Sequence, residues 1–119
     1  MNFQEVLRDI EKLVGCDLQS IRPGANIKIE KIDWDNHRIV LTAANGTRRS
    51  RPYIELEHVW QALCTHLAVH VDSVLGGSGS SRNQPETILA NLPYVEWFKH
   101  LGKKHLILVG KQSHKAGTL

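Results

Sequence analysis

Apolar residues recur at two different periods along the chain. Phe3, Val6, Leu7, Ile10, Leu13 and Val14 fall on one stripe at helical spacing, with Glu5, Arg8, Asp9, Glu11 and Lys12 opposite. This predicts an amphipathic helix over residues 2–14, with Asn2 as N-cap and Gly15 as its stop. After the Pro23-Gly24 turn the period drops to two. Ile27, Ile29 and, less regularly, Ile32 alternate with Lys28, Glu30 and Lys31, the pattern of a half-buried strand. Asp35-Asn36 marks a turn, and residues 37–43 form a β-branched return strand. Asn45-Gly46 is the strongest hairpin signal in the chain, and a third short strand fits residues 47–50. A meander this thin needs to share a core with the C-terminal half of the chain.

Arg51-Pro52 marks the join. Leu56, Val59, Trp60, Leu63, Cys64 and Leu67 restore the helical period, and Val69, Val71, Val74 and Leu75 continue it as a second short helix or a bent extension. A loop of small residues comes next, Gly76 to Ser81. Pro85 and Glu86 then start a helix over residues 83–92, which Pro93 ends. Tyr94 to Lys99 and Lys104 to Val109 read as a β-hairpin around Gly102. Residues 110–119 read as a frayed basic tail. The fold class expected is α+β. An N-terminal helix and small antiparallel meander (residues 1–50) join a unit of three helices and a β-hairpin (residues 51–119), over one shared core.

Helix, helix, loop, helix, hairpin is an order that resembles the winged helix-turn-helix superfamily over residues 53–110. The carrying stretch is R-N-Q-P-E-T-I-L-A-N-L-P followed by an aromatic strand. More loosely, it looks like the winged-helix DNA-reading pieces found beside bacterial restriction and phage-defence enzymes. The resemblance implies a recognition helix at residues 83–92 and a wing at the hairpin. The meander and the glycine-rich turn depart from the common pattern.

Composition narrows the picture only a little. The chain has 119 residues, enough for one domain with a modest core, and 41% of them are hydrophobic. The formal net charge of +3 permits an anionic partner without demanding one. Cys16 and Cys64 follow no metal or disulfide spacing, and Cys64 falls in an apolar helical pattern that predicts a buried thiol. The N-terminus shows no signal-peptide pattern, and no apolar run reaches the roughly 20 residues of a membrane span. These features lead us to expect a cytoplasmic protein with no membrane partner.

The candidate chemistry centres on the loop and the helix after it. Ser78, Ser80, Ser81 and uncovered backbone N–H groups suit phosphates, and Arg82, Asn83 and Gln84 suit base edges. A plain loop leading into a capped helix explains the same residues. Arg48, Arg49 and Arg51 make a positive face if they lie beside Arg82, and a solvated surface if they do not. Lys103 and Lys104, with Lys99, His100 and His105, suit a wing tip on the phosphate backbone; lysines at an exposed strand also block edge pairing. His66 and His70 are four apart, but neither H-E-x-x-H nor CxxC is present, so histidines on a polar helix face are the simpler reading. Asp33 and Asp35 flank Trp34 as an acidic turn. Gly76 to Ser81 lacks the G-K-[ST] of a Walker loop and comes after a helix.

The expectation is a non-catalytic module for double-stranded DNA, without cofactor or metal. The alternative is a protein–protein module, such as an adaptor, an immunity or antitoxin partner, or a homodimer. In that case an exposed apolar patch around Trp34, Tyr94 and Trp97 should dominate.

Overall fold

In the computed structural model, which describes residues 1–76 and 82–119, the chain is an α+β fold built on two antiparallel sheets. Helix α1 spans Phe3–Glu11, shorter at its C-terminal end than its apolar stripe. Asn2 caps it in a reciprocal box. Its side chain accepts from the Glu5 N–H at 2.9 Å, and the Glu5 carboxylate accepts from the Asn2 N–H at 3.2 Å. Strands β1 (Asp17–Leu18), β2 (Ile27–Asp33), β3 (Arg38–Thr42) and β4 (Arg48–Pro52) form one sheet in the order β1-β2-β3-β4. The two-residue β1 carries no periodic signal of its own. It exists because its partner β2 is already in place.

The register explains the alternation of the sequence. Ile29 lies opposite Leu41, and Ile32 opposite Ile39, facing the core. A bulge between Ile29 and Lys31 puts Glu30 and Lys31 both on the exposed side. That bulge is why Ile32 breaks the simple two-residue period. Beyond β4 come α2 (Tyr53–Thr65) and the four-residue α3 (Val71–Val74). Next come α4 (Asn83–Ala90) and the hairpin strands β5 (Val95–His100) and β6 (Lys103–Leu108). Val69 adds a bridge to β6, exchanging backbone hydrogen bonds with Leu106 at 2.9 and 2.8 Å.

One cluster of buried side chains runs from Val6, Leu7 and Ile10 on α1, through Ile29 and Leu41, to Val59, Leu89 and Leu106. Helix α4 lies at its centre. All eight of its residues are buried, including Asn83, Gln84, Glu86 and Thr87. Side chains from α4 and its C-cap Asn91 pin the segment before β2. The Asn83 amide donates to the Ala25 carbonyl at 2.9 Å, and that of Asn91 donates to the Gln19 carbonyl at 3.0 Å. α1 is tied to the start of the hairpin by the Tyr94 hydroxyl, which donates to Asp9 at 2.9 Å. Burial, with that acid beside it, pushes the Tyr94 phenol well above its ordinary range.

Three expectations need correction. The C-terminal segment does not fray: the Gly117 N–H donates to the Asn91 carbonyl at 2.9 Å, the Ser113 N–H donates to the Pro93 carbonyl at 2.8 Å, and Leu119 packs on the core. Cys64 is exposed, as is Cys16, because its position on α2 turns away from the core-facing stripe of Leu56, Val59, Trp60 and Leu63. His66 and His70 do not share a helix, since α2 ends at Thr65 and His70 caps α3. Trp34 lies at the β2–β3 turn and is 37% exposed. It donates to Glu11 at 3.0 Å and meets Tyr53 edge-on, so it fastens the β2–β3 turn to α1.

Candidate nucleic-acid interface

The residues singled out from the sequence do not form one surface. Strand alternation divides the arginines of β4. Arg48 lies opposite Thr42, which in turn pairs with Lys28, on the outer face; there it donates to Glu30 at 2.8 Å. Arg49 and Arg51 lie opposite Leu41 and Ile39 on the core-facing side. Arg51 and Arg82 converge on one oxygen of Glu55, at 2.6 and 3.1 Å. This half-buried triad joins the end of β4, α2 and the start of α4, and carries a single net positive charge. Two guanidiniums held on one carboxylate are less available to a phosphate than free ones.

Asn83 and Gln84 are the clearest departure from a recognition helix. They are only 9% and 7% exposed. The polar end of α4 that would read base edges is turned into the protein, because Asn83 is needed to satisfy the Ala25 carbonyl. Their amide oxygens find no hydrogen-bond partner. Ser78, Ser80 and Ser81 lie outside the described residues.

The structure does bring Arg49, Asn83 and Gln84 together. They line a cleft of about 310 Å³ between the segment Arg22–Ala25 and the turn Ala43–Asn45. Both walls are locally fixed. Ser20 N–H donates to the Asn26 side chain at 3.0 Å, and the Ser20 hydroxyl donates to the Arg22 carbonyl, closing the loop that presents Arg22. Across the cleft, Ala43 N–H donates to the Thr47 carbonyl at 2.8 Å, and the Asn45 side chain accepts from Thr47 N–H at 3.0 Å. Gly46 completes that turn at φ 84°, which glycine adopts without strain. A neighbouring hollow of about 580 Å³ shares Gly24, Ile27, Ala43 and Ala44 with the cleft and reaches Asp17 and Lys28.

The electrostatics run along the sheet. At the cleft end, Asp17 and Glu30 are already matched by Lys28 and Arg48, which leaves Arg22 and Arg49 without acidic partners among the described residues. At the other end, Asp33, Asp35 and Glu11 surround Tyr53. Burial and then these three acids hold its phenol above the ordinary value of 10.0. The Asp33 carboxyl is held low by its bonds to Asn36. Arg38 also lies at this end, its guanidinium bonded to the Ser50 hydroxyl and carbonyl. β2 has seven residues, so the two ends are about 20 Å apart.

Lys103 and Lys104 belong to the hairpin, and they differ. Lys104 folds back to Glu86 at 3.5 Å. Glu86 is 4% exposed, and burial raises its carboxyl above the ordinary 4.5 against the opposing pull of Lys104. Lys103 stays exposed at the tip with Lys99 and His100. Beside them, Phe98 stacks on His105 with ring centroids 5.3 Å apart. Among the described residues, no group of three or more His, Cys, Asp or Glu side chains could hold a metal ion, and no helix is long and apolar enough to cross a membrane.

Arg22 escaped the sequence reading. It stands alone in a turn, and only the fold brings it opposite Arg49. A signal was present in Pro23-Gly24, which fixes a tight presentation of its neighbour. No family model, curated protein or solved structure matches the chain.

Proposed function

We propose that this chain is a non-catalytic nucleic-acid-binding module for double-stranded DNA, which grips the phosphate backbone rather than reading bases with a helix. The observation that carries this reading is the polarity of the main sheet. Arg22 and Arg49 flank a cleft at one end without acidic partners among the described residues, while at the other Glu11, Asp33 and Asp35 outnumber Arg38. Such an arrangement orients an anionic partner towards the cleft and away from the acidic corner. The β5–β6 hairpin, with Lys99 and Lys103 exposed, supplies a second contact of the same sign.

In this reading α2, α3, α4 and the hairpin keep the order of a winged helix, with the roles exchanged. α4 is a core strut, and the wing and the sheet end make the contact. Two exposed free thiols suit a reducing cytoplasm. Titration of a fluorescently labelled duplex, followed by anisotropy at low and at physiological salt, tests the reading. Binding that weakens steeply with salt supports it. No binding at low salt overturns it.

One observation favours a second reading, a protein–protein module. A hollow of about 500 Å³ is lined by Met1, Trp60, Cys64, Tyr94 and Leu108. It is the most apolar of the three described hollows and lies apart from the arginines. In that case sedimentation would show a dimer or a complex that Leu108→Asp disrupts, with no affinity for DNA.

A further inference from the structure

The tip of the β5–β6 hairpin carries two local costs with no return inside the molecule. Leu101 is 88% exposed, more than any other large apolar side chain described. It also adopts φ 52°, in the left-handed region that a branched, bulky residue avoids. With Gly102 at φ 78°, it forms the two-residue turn that joins strands ending at His100 and Lys103. Both turn positions need positive φ, and Asn-Gly is the sequence that fits them best. The one other described non-glycine residue at positive φ is His37, at 56°. His37 packs edge-on against Tyr53 at 5.5 Å, and its carbonyl accepts from the Tyr53 N–H at 3.0 Å. Its strain is offset by contacts. That of Leu101 is not.

The surroundings of Leu101 name the kind of partner. Lys99, His100 and Lys103 are exposed around it and have no acidic partner among the described residues. The nearest acid on the hairpin, Glu96, lies towards its root. The ribbon is held just behind its tip. Lys104 pairs with Glu86, His70 Nδ1 lies 2.8 Å from the Lys104 carbonyl, and Val69 bridges Leu106. The ribbon therefore presents one large apolar side chain at its extremity, flanked by two lysines and His100. Apolar side chains of this kind enter between base pairs, while neighbouring cations hold the phosphates on either side.

We propose that Leu101 is a wedge that inserts at a base step of duplex DNA and unstacks it, with Lys99, His100 and Lys103 on the flanking phosphates. The proposal rests on the nucleic-acid reading above and adds the mode of contact. It also accounts for a leucine where asparagine would be less strained.

The test uses the full chain and a short duplex carrying 2-aminopurine beside a flexible TA step, read by anisotropy for binding and by 2-aminopurine fluorescence for unstacking. The variants are Leu101→Asn, which suits the turn and keeps the fold, and Leu101→Met, which keeps an apolar tip of similar volume. The wild type should raise the fluorescence several-fold on binding, and Leu101→Met should retain that rise. Leu101→Asn should lose it, with affinity lowered by about tenfold. If Leu101→Asn still binds and unstacks like the wild type, or if the wild type binds with no rise, the wedge is overturned and the nucleic-acid reading stands. If the wild type shows no anisotropy change at low salt, both fall. Sedimentation with phosphatidylserine-containing vesicles covers the remaining occupant. Leu101-dependent pelleting without duplex unstacking would overturn the wedge in favour of a lipid surface.

Discussion

Asn91 ties the C-terminal end of α4 to a segment 72 positions earlier, and its removal should show how far α4 works as a core strut. The side chain is fully buried. Its amide donates to the Gln19 carbonyl at 3.0 Å and to the Thr87 carbonyl at 2.8 Å. Asn91→Ala deletes both bonds, each worth about 1 kcal/mol net. The Thr87 carbonyl keeps the Asn91 N–H at 3.2 Å, whereas the Gln19 carbonyl loses the bond it had. That loss and the small cavity left behind add to the cost. The unpaired Asn91 Oδ1 disappears as well, which offsets part of it. The net expectation is a loss of about 2 kcal/mol. For a chain of 119 residues the unfolding entropy gives about 4 °C per kcal/mol, so Tm should fall by about 8 °C. Thermal unfolding followed by circular dichroism reads it directly. A Tm within about 2 °C of the wild type would refute the strut, because no core helix loses such a tether without cost.

The same helix yields two further predictions. Thr87 is fully buried and its hydroxyl has no partner, so the near-isosteric Thr87→Val should stabilise the fold by about 1 kcal/mol in chemical denaturation; a loss of stability would contradict this. The Glu86 carboxyl is raised by burial, so its favourable contribution is full below the ordinary 4.5 and fades as pH rises through the higher folded value. Glu86→Gln lacks that titration, and its stability relative to the wild type should therefore improve from about pH 4 upwards. A flat or falling difference across that window, measured by urea unfolding, would show that the pairing with Lys104 dominates.

The strands were legible because one sheet face is buried, which forces alternation at Ile27, Ile29, Ile39 and Leu41. The order of helices and the hairpin was legible for a similar reason, since α1 and α2 each bury one stripe. The burial of α4 was not. Asn83 and Gln84 read as the outward-facing start of a helix, and nothing local reveals their burial or that of Glu86 and Thr87. The partners of Asn83, Asn91 and Glu86 (Ala25, Gln19 and Lys104) are set by tertiary contacts 58, 72 and 18 positions away. Arg22 and Arg49 were invisible as a pair for the same reason. The C-terminal segment carried a basic composition typical of a loose end. It is held by backbone bonds such as that from Gly117 to Asn91, by His114 against the Val95 carbonyl and by Leu119 on the core, contacts that composition does not encode.

The salt dependence of duplex binding tests the central claim most directly, measured for the wild type and for Arg22→Ala combined with Arg49→Ala. Each phosphate neutralised contributes about 0.9 to the slope of log affinity against log salt. If the cleft end of the sheet grips the backbone, the double variant should stay folded, bind more weakly at every salt concentration and lose about 2 from that slope. An unchanged slope with unchanged affinity would contradict the account and leave the two arginines as ordinary surface charge.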